Sequence, residues 1–300
     1  MDNKRLSYWH DGELDIQQRV GIEQRMAAIA PKYIREFMPQ QHRDFFHNLS
    51  MLFIAYTDDQ SQVHASVVFG TPGFIESPTE NELSINTQNS MGDFLTGYLY
   101  IGQRLGLLGL EFESKRRNRL NAIITDINQK NIRVKVLQSY GNCPQYIQPK
   151  AFKLNHQYGD FQSRSSVQLT AADKDAISKA DTFFIASQFD DGIALNNRGP
   201  DISHRGGQLG FVTINDKGQI LIEDYAGNGF FNTLGNIVQN PRASLLFCDW
   251  QQGHILQISV RGEIQWGTQQ QPKANRVMGL ICFTPITINK INNGLAHLQK

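Results

Sequence analysis

The chain has 300 residues, 29 lysines and arginines against 28 aspartates and glutamates, and 40% aliphatic and aromatic residues. That length allows two ordinary domains or one large one, and the near-zero net charge argues against a general nucleic-acid binder. No apolar run approaches the roughly 20 residues of a membrane span. The opening residues, MDNKRLSYWHDGELD, lack the apolar core of a signal peptide, so a cytoplasmic location is expected. Cys143, Cys248 and Cys282 are odd in number and form no CxxC pair, which speaks against a disulfide framework and a zinc knuckle; no metal is expected. Cys248 and Cys282 lie in apolar runs and read as buried thiols, whereas Cys143 lies in a turn-like GNCPQY.

In chain order, residues 14–37 carry an apolar stripe at helical spacing (Leu14, Ile16, Val20, Met26, Ile29), with Pro31 expected to break or restart the helix. A second short helix is expected over 40–49, with His42 and His47 read as surface side chains. Strand signals follow at 51–57, 64–70 and 82–85, then a short helix at 93–100. Further strands are expected at 105–112, 122–128 and 132–138, the last two joined at 128–131. Short strands, tight turns and one interposed helix point to a small β-barrel rather than a βαβ sheet. The polar stretch 155–166 reads as a connector, followed by a helix at 171–180 with Thr170 as N-cap and Asp173 three residues on.

The order of elements then recurs. Phe53-Ile54-Ala55 with Asp58-Asp59 parallels Phe184-Ile185-Ala186 with Asp190-Asp191, and residues 64–74 parallel 203–211. GLLGLEF in the first half matches ASLLFCD in the second. Matching order over five elements favours an internal duplication.

Residues 201–240 concentrate the chemistry. Ser203 and Arg205 would share one face of a strand, with Gly206-Gly207 leaving room for a planar ligand against the backbone. After a strand at 219–223, the sequence Ala226-Gly227-Asn228-Gly229 leads into a helix at 231–239 that places Asn232 and Thr233 in its first turn. Free N–H groups and the helix dipole favour an anion there, with Arg205 as countercharge. Each residue alone is a turn, a cap or a surface cation; the conjunction points to a phosphate-bearing cofactor.

ADTFFIAS (180–187), DISHRGG (201–207) and FNTLGNIVQNPRASLLF (231–247) resemble the FMN-binding split barrels related to pyridoxamine 5′-phosphate oxidase. PGF (72–74), KRRNRLN (115–121) and GNCPQYIQ (141–148) resemble the two-domain members. The resemblance covers most of residues 40–266. It implies a mainly β chain with short helices (α+β), made of two tandem split β-barrels, with FMN as cofactor. The expected layout is an N-terminal helical segment over 1–39, a first and degenerate barrel over 40–150, a linker over 151–170, and a cofactor-bearing barrel over 171–300.

In that family the flavin sits between two barrels, usually of a homodimer. Carried over, this implicates Ser203, His204, Arg205 and Gly206 on the strand, Asn228, Asn232 and Thr233 at the helix, and Gln257 and Arg261 on a strand at 254–265. The first barrel has Ala65-Ser66-Val67 where Ser-His-Arg stands in the second, so a full second site is not expected. The run Lys115-Arg116-Arg117-Asn118-Arg119 has two readings. It is either a solvated loop or strand end, or Arg116, Arg117 and Arg119 reach across to the flavin phosphate or a charged substrate. Three readings remain open: an FMN-dependent oxidoreductase acting on a small molecule, a flavin-binding protein without turnover that stores or senses cofactor or partners a reductase, or an empty structural barrel. No acid or base stands out beyond His204.

Overall fold

The structure is a computed structural model that describes residues 8–87, 98–151, 153–154, 162–225, 227–267, 277–295 and 298–299. Helices α1 (Asp11–Arg19), α2 (Glu23–Tyr33) and α3 (Gln40–His47) precede the first sheet. Its strands are β1 (Met51–Thr57), β2 (Val63–Phe69), β3 (Ile75–Glu76), β4 (Glu82–Asn86), β5 (Arg104–Glu111), β6 (Arg116–Ile127) and β7 (Asn131–Gly141). The short β8 (Lys153–Leu154) and β9 (Gln162–Ser166) follow, then α4 (Ala171–Ser178), β10 (Thr182–Phe189), β11 (Gly199–Gly206), β12 (Val212–Ile214) and β13 (Ile220–Tyr225). Helix α5 (Asn232–Gln239) leads to β14 (Arg242–Asp249), β15 (His254–Trp266), β16 (Val277–Asn292) and β17 (Leu298–Gln299).

The first sheet runs β2-β1-β5-β6-β7-β4-β3 and the second β11-β10-β14-β15-β16-β13-β12. With β10 matched to β1, the two paths are the same permutation. Every pairing is antiparallel. The fold is two tandem split barrels. Each curls around its own apolar core, one centred on Leu52, Ile54 and Leu107, the other on Phe183, Ile185 and Leu245. A third cluster joins them, with Phe53, Val67 and Leu108 meeting Phe184, Ile202 and Leu246. This explains why β1 and β10 read as continuous apolar runs: one face fills the strand's own barrel and the other fills the joint. Strands with one wet face alternate instead, as in β13.

The pairings equate positions in the two halves. Phe53 pairs with Val67 and Leu108, and Phe184 pairs with His204 and Leu246. Leu108 pairs with Arg119, and Leu246 with Gln257. Hence Val67 matches His204, Ser66 matches Ser203, Val68 matches Arg205, Arg119 matches Gln257, and Arg117 matches Ile255. The sequence alignment of the halves was one residue out at this strand, because Ser66 and not Ala65 is the counterpart of Ser203.

Several other expectations need correction. The N-terminal helix is split at Val20–Ile22, where Gly21 has φ +72°, and Pro31 lies inside α2 without breaking it. Pro31 stays within one turn of the C-terminus, where the distortion it imposes is absorbed. His42 is buried, with its Nδ1 2.9 Å from Ser139 Oγ, because α3 lays that face on β7; His47 is exposed. The basic run lies at the end of a strand, as one of its two solvated readings had it: Arg116 opens the long β6, with Lys115 in the turn before it. Residues 162–166, read as part of the connector, form β9 against β16. The sixteen-residue β16, which the sequence reading passed over, is a central strand of the second sheet. The helix expected at 93–100 lies mostly outside the described residues. Among the described residues no helix is long and apolar enough to cross a membrane.

Candidate ligand cleft between the two barrels

A cleft opens where β11, β13 and the start of α5 in the second barrel face β6 and the 142–146 loop of the first. It is lined by Ser203, His204, Arg205 and Gly206, by Asn228, Asn232 and Thr233, and by Arg117 and Arg119. Both walls belong to one chain. Its cavity volume is about 100 Å³, room for a group of several heavy atoms at roughly 10–15 Å³ per water-sized site.

Strand alternation sorts the arginines of β6. Arg117 and Arg119 point into the cleft, and exposed Arg116 turns away, its guanidinium 5.1 Å from the Phe45 ring. Arg119 is buried; its Nη1 donates to Asn232 Oδ1 at 3.1 Å and its Nη2 donates to Ser203 Oγ. Ser203 Oγ in turn lies 2.8 Å from Thr233 Oγ1. Arg119 Nη1 is also 3.7 Å from Asp201 Oδ1.

Arg117 Nη1 lies 3.1 Å from His204 Nδ1. A guanidinium only donates, so Nδ1 accepts and the ring proton sits on Nε2. Burial, reinforced by Arg117, Arg205 and Lys150, holds the His204 imidazole well below its ordinary pKa, which fits that neutral tautomer. Burial, and then the neighbouring Arg119 and Arg205, lower Arg117 to about 10.

Among the described residues, three buried nitrogens of this cluster find no hydrogen-bond partner: Arg117 Nε, Arg119 Nε and His204 Nε2. All three are donors. Among the described residues no carboxylate pairs with Arg117, while Arg205 Nη2 is 3.2 Å from Asp224 Oδ1. Burial raises the Asp224 carboxyl and Arg205 opposes it. The walls of the cleft therefore bury donors that nothing satisfies among the described residues, two of them on guanidinium groups, an arrangement that suits an anionic acceptor.

The glycine pair does not do what its sequence position implied. A Cβ on Gly206 would lie 2.2 Å from the Tyr146 carbonyl oxygen, and one on Gly207 would lie 2.5 Å from the Phe211 ring. What these glycines admit is the protein's own backbone and ring. Phe231 caps α5 in the left-handed region, φ 61°, with no side-chain cap. The side chains of Asn232 and Thr233 are already committed to Arg119 and Ser203. Asn228 sits at the rim, its Nδ2 donating to Asn142 Oδ1 at 2.8 Å.

Gln257 and Arg261 are not brought to the cleft. Gln257 Nε2 donates to the Ala65 carbonyl at 2.9 Å in the joint, and Arg261 is exposed beside Arg242. Exposed Cys143 lines the cleft mouth, and Cys248 and Cys282 are buried. The sequence reading missed Glu13, whose Oε1 accepts from Asn232 Nδ2 at 2.5 Å. It also missed Tyr140, whose hydroxyl donates to Asn232 Oδ1 at 3.4 Å. Burial and then Asp201 push the Glu13 carboxyl well above the usual range. Among the described residues no group of three His, Cys, Asp or Glu side chains could hold a metal ion.

No family model and no curated protein matches the chain. Solved structures that resemble it include a candidate pyridoxamine 5′-phosphate oxidase from Lactobacillus delbrueckii, 13% identical over 41% of this chain and 94% of that one (TM-score 0.31). An FMN-binding protein from Syntrophomonas wolfei is 10% identical over 43% and 95% (TM-score 0.28). An inhibitor of motility from Bacillus subtilis is 12% identical over 79% and 88% (TM-score 0.21). The chain thus resembles pyridoxamine 5′-phosphate oxidase-like and FMN-binding proteins, while its tandem-barrel architecture stands on its own sheet topology.

Proposed function

We propose that the cleft binds FMN by its phosphate and that the chain is a flavoprotein oxidoreductase acting on a small molecule. One observation carries the reading: Arg117, Arg119 and His204 each bury an N–H donor that no acceptor among the described residues meets. A phosphate oxygen is a strong acceptor for such donors, and a guanidinium matches its geometry. In this reading Arg117 and Arg119 hold the anion. Neutral His204 adds a third donor through Nε2, and Arg205, already shared with Asp224, contributes mainly field.

Bound flavin would supply the electron transfer, and the protein would supply binding, orientation and exclusion of water. The buried imidazole is a poor base at neutral pH, since its folded pKa is strongly lowered. That favours keeping a second reading, a flavin carrier or sensor without turnover. Absorbance of the purified protein near the flavin bands, together with fluorescence titration by FMN, tests the binding. A colourless protein that leaves FMN fluorescence unquenched overturns it. Anaerobic mixing with NADH or NADPH then separates the readings: bleaching and reoxidation mark an oxidoreductase, and an inert flavin marks a carrier.

A further inference from the structure

The N-terminal helix α1 belongs to neither sheet, yet it lies against α5 at unusually short range. A Cβ on Gly12 would come within 2.2 Å of the Gly235 carbonyl oxygen, and one on Gly235 within 2.7 Å of Glu13. Two glycines thus let one helix backbone rest on the other. The contact seats Glu13 in the interior with its side chain only 3% exposed.

Both carboxyl oxygens of Glu13 accept. Oε2 takes the His10 backbone N–H at 2.9 Å, closing a capping box, and Oε1 takes Asn232 Nδ2 at 2.5 Å. With Nδ2 committed to Glu13, the Asn232 amide must turn Oδ1 the other way, where it receives Arg119 Nη1 at 3.1 Å. Ser203 takes Nη2, so both terminal nitrogens of Arg119 are anchored, while its buried Nε has no partner among the described residues and the residue lines the cleft.

We infer that Glu13 is a positioning residue of the anion site: acting through Asn232, it fixes the Arg119 guanidinium at the wall of the cleft. The inference rests on the reading of the cleft as an FMN-phosphate site. A glutamine cannot replace this carboxyl, because its amide presents one acceptor where two donors arrive. Either the cap is lost, or the Asn232 amide flips and sets its NH₂ against Arg119.

The test compares the Kd of FMN with that of riboflavin, which lacks the phosphate, in the full chain. Glu13→Gln should weaken FMN on the order of tenfold, the scale of one hydrogen bond to a charged group, and leave riboflavin unchanged. An equal loss for both ligands, or no loss for either, overturns the role. In an Asn232→Ala background, which leaves the α1 cap intact, Glu13→Gln should have no further effect on FMN; additive losses overturn the proposed route. Should Glu13→Gln not fold, Asn232→Ala alone must show the same selective loss of FMN, or the inference falls. Wild-type protein that binds neither ligand defeats the flavin reading itself, and this inference with it.

Discussion

Phe53 and Phe184 occupy equivalent positions in the two barrels and stack on each other, ring centroids 3.6 Å apart and planes 19° from parallel. Equivalent residues meet face to face only near the axis that relates the two halves. Around that axis two clefts are possible, and the side chains differ sharply between them. One has His204, Arg117 and Arg119; at the matching positions the other has Val67, Ile255 and Gln257. Val67 and Ile255 are buried in the joint, and Gln257 is tied to the Ala65 carbonyl. The first is a polar cleft and the second is core.

One ligand per chain is therefore expected. Titration of FMN monitored by equilibrium dialysis should saturate at one equivalent per 300-residue chain; two equivalents would show that the joint opens.

Arg117 has no acidic partner among the described residues, so removing it costs little internal pairing. Arg117→Met should leave the melting temperature close to wild type and reduce FMN affinity by about 1.5–3 kcal/mol, the range for hydrogen bonds to charged groups. Calorimetry on both ligands checks it, with riboflavin binding expected to be unaffected.

Arg205 behaves differently, because its loss strands buried Asp224. Arg205→Ala should destabilise by about 2–4 kcal/mol at neutral pH. The folded pKa of Asp224 is raised by burial and held back by Arg205, so the variant raises it further. A carboxyl whose folded pKa exceeds its unfolded value weakens the fold as pH rises through that interval and deprotonates it. The deficit relative to wild type should therefore shrink on going from pH 7 toward pH 4, measured by urea unfolding. A deficit that grows on acidification would contradict this.

Gly12→Ala should separate α1 from α5, since the new methyl meets a backbone oxygen and not a flexible side chain. Overpacking of this kind costs about 1–3 kcal/mol. Thermal melts should register the loss, and FMN affinity should fall along with it because Glu13 moves off Asn232.

How much of this could be read from the sequence varies with the range of the interaction. The strands came from local periodicity, and Arg117 and Arg119 share a face for the same reason; the alternation was there in RRNRLN once the run was taken as strand. The capping pattern at Glu13 was also local. Its second bond, to a residue 219 positions on, has no local signature. Gly206 and Gly207 misled because a small residue signals close approach without saying what approaches. Gln257 was misplaced for a related reason: it is the counterpart of Arg119, at the cleft that became core.

By itself the sequence determined a twofold series of short strands and a cluster of anion-seeking residues around Ser203–Arg205. Periodicity and burial preference act over a few residues, and they suffice for that much. Only the tertiary structure decided which of two equivalent clefts stays polar, that Arg117 and Arg119 cross from the first barrel into it, and that α1 closes the network behind Arg119. Those outcomes depend on register across the sheets and on backbone contact between distant helices, which bring together side chains no local pattern connects.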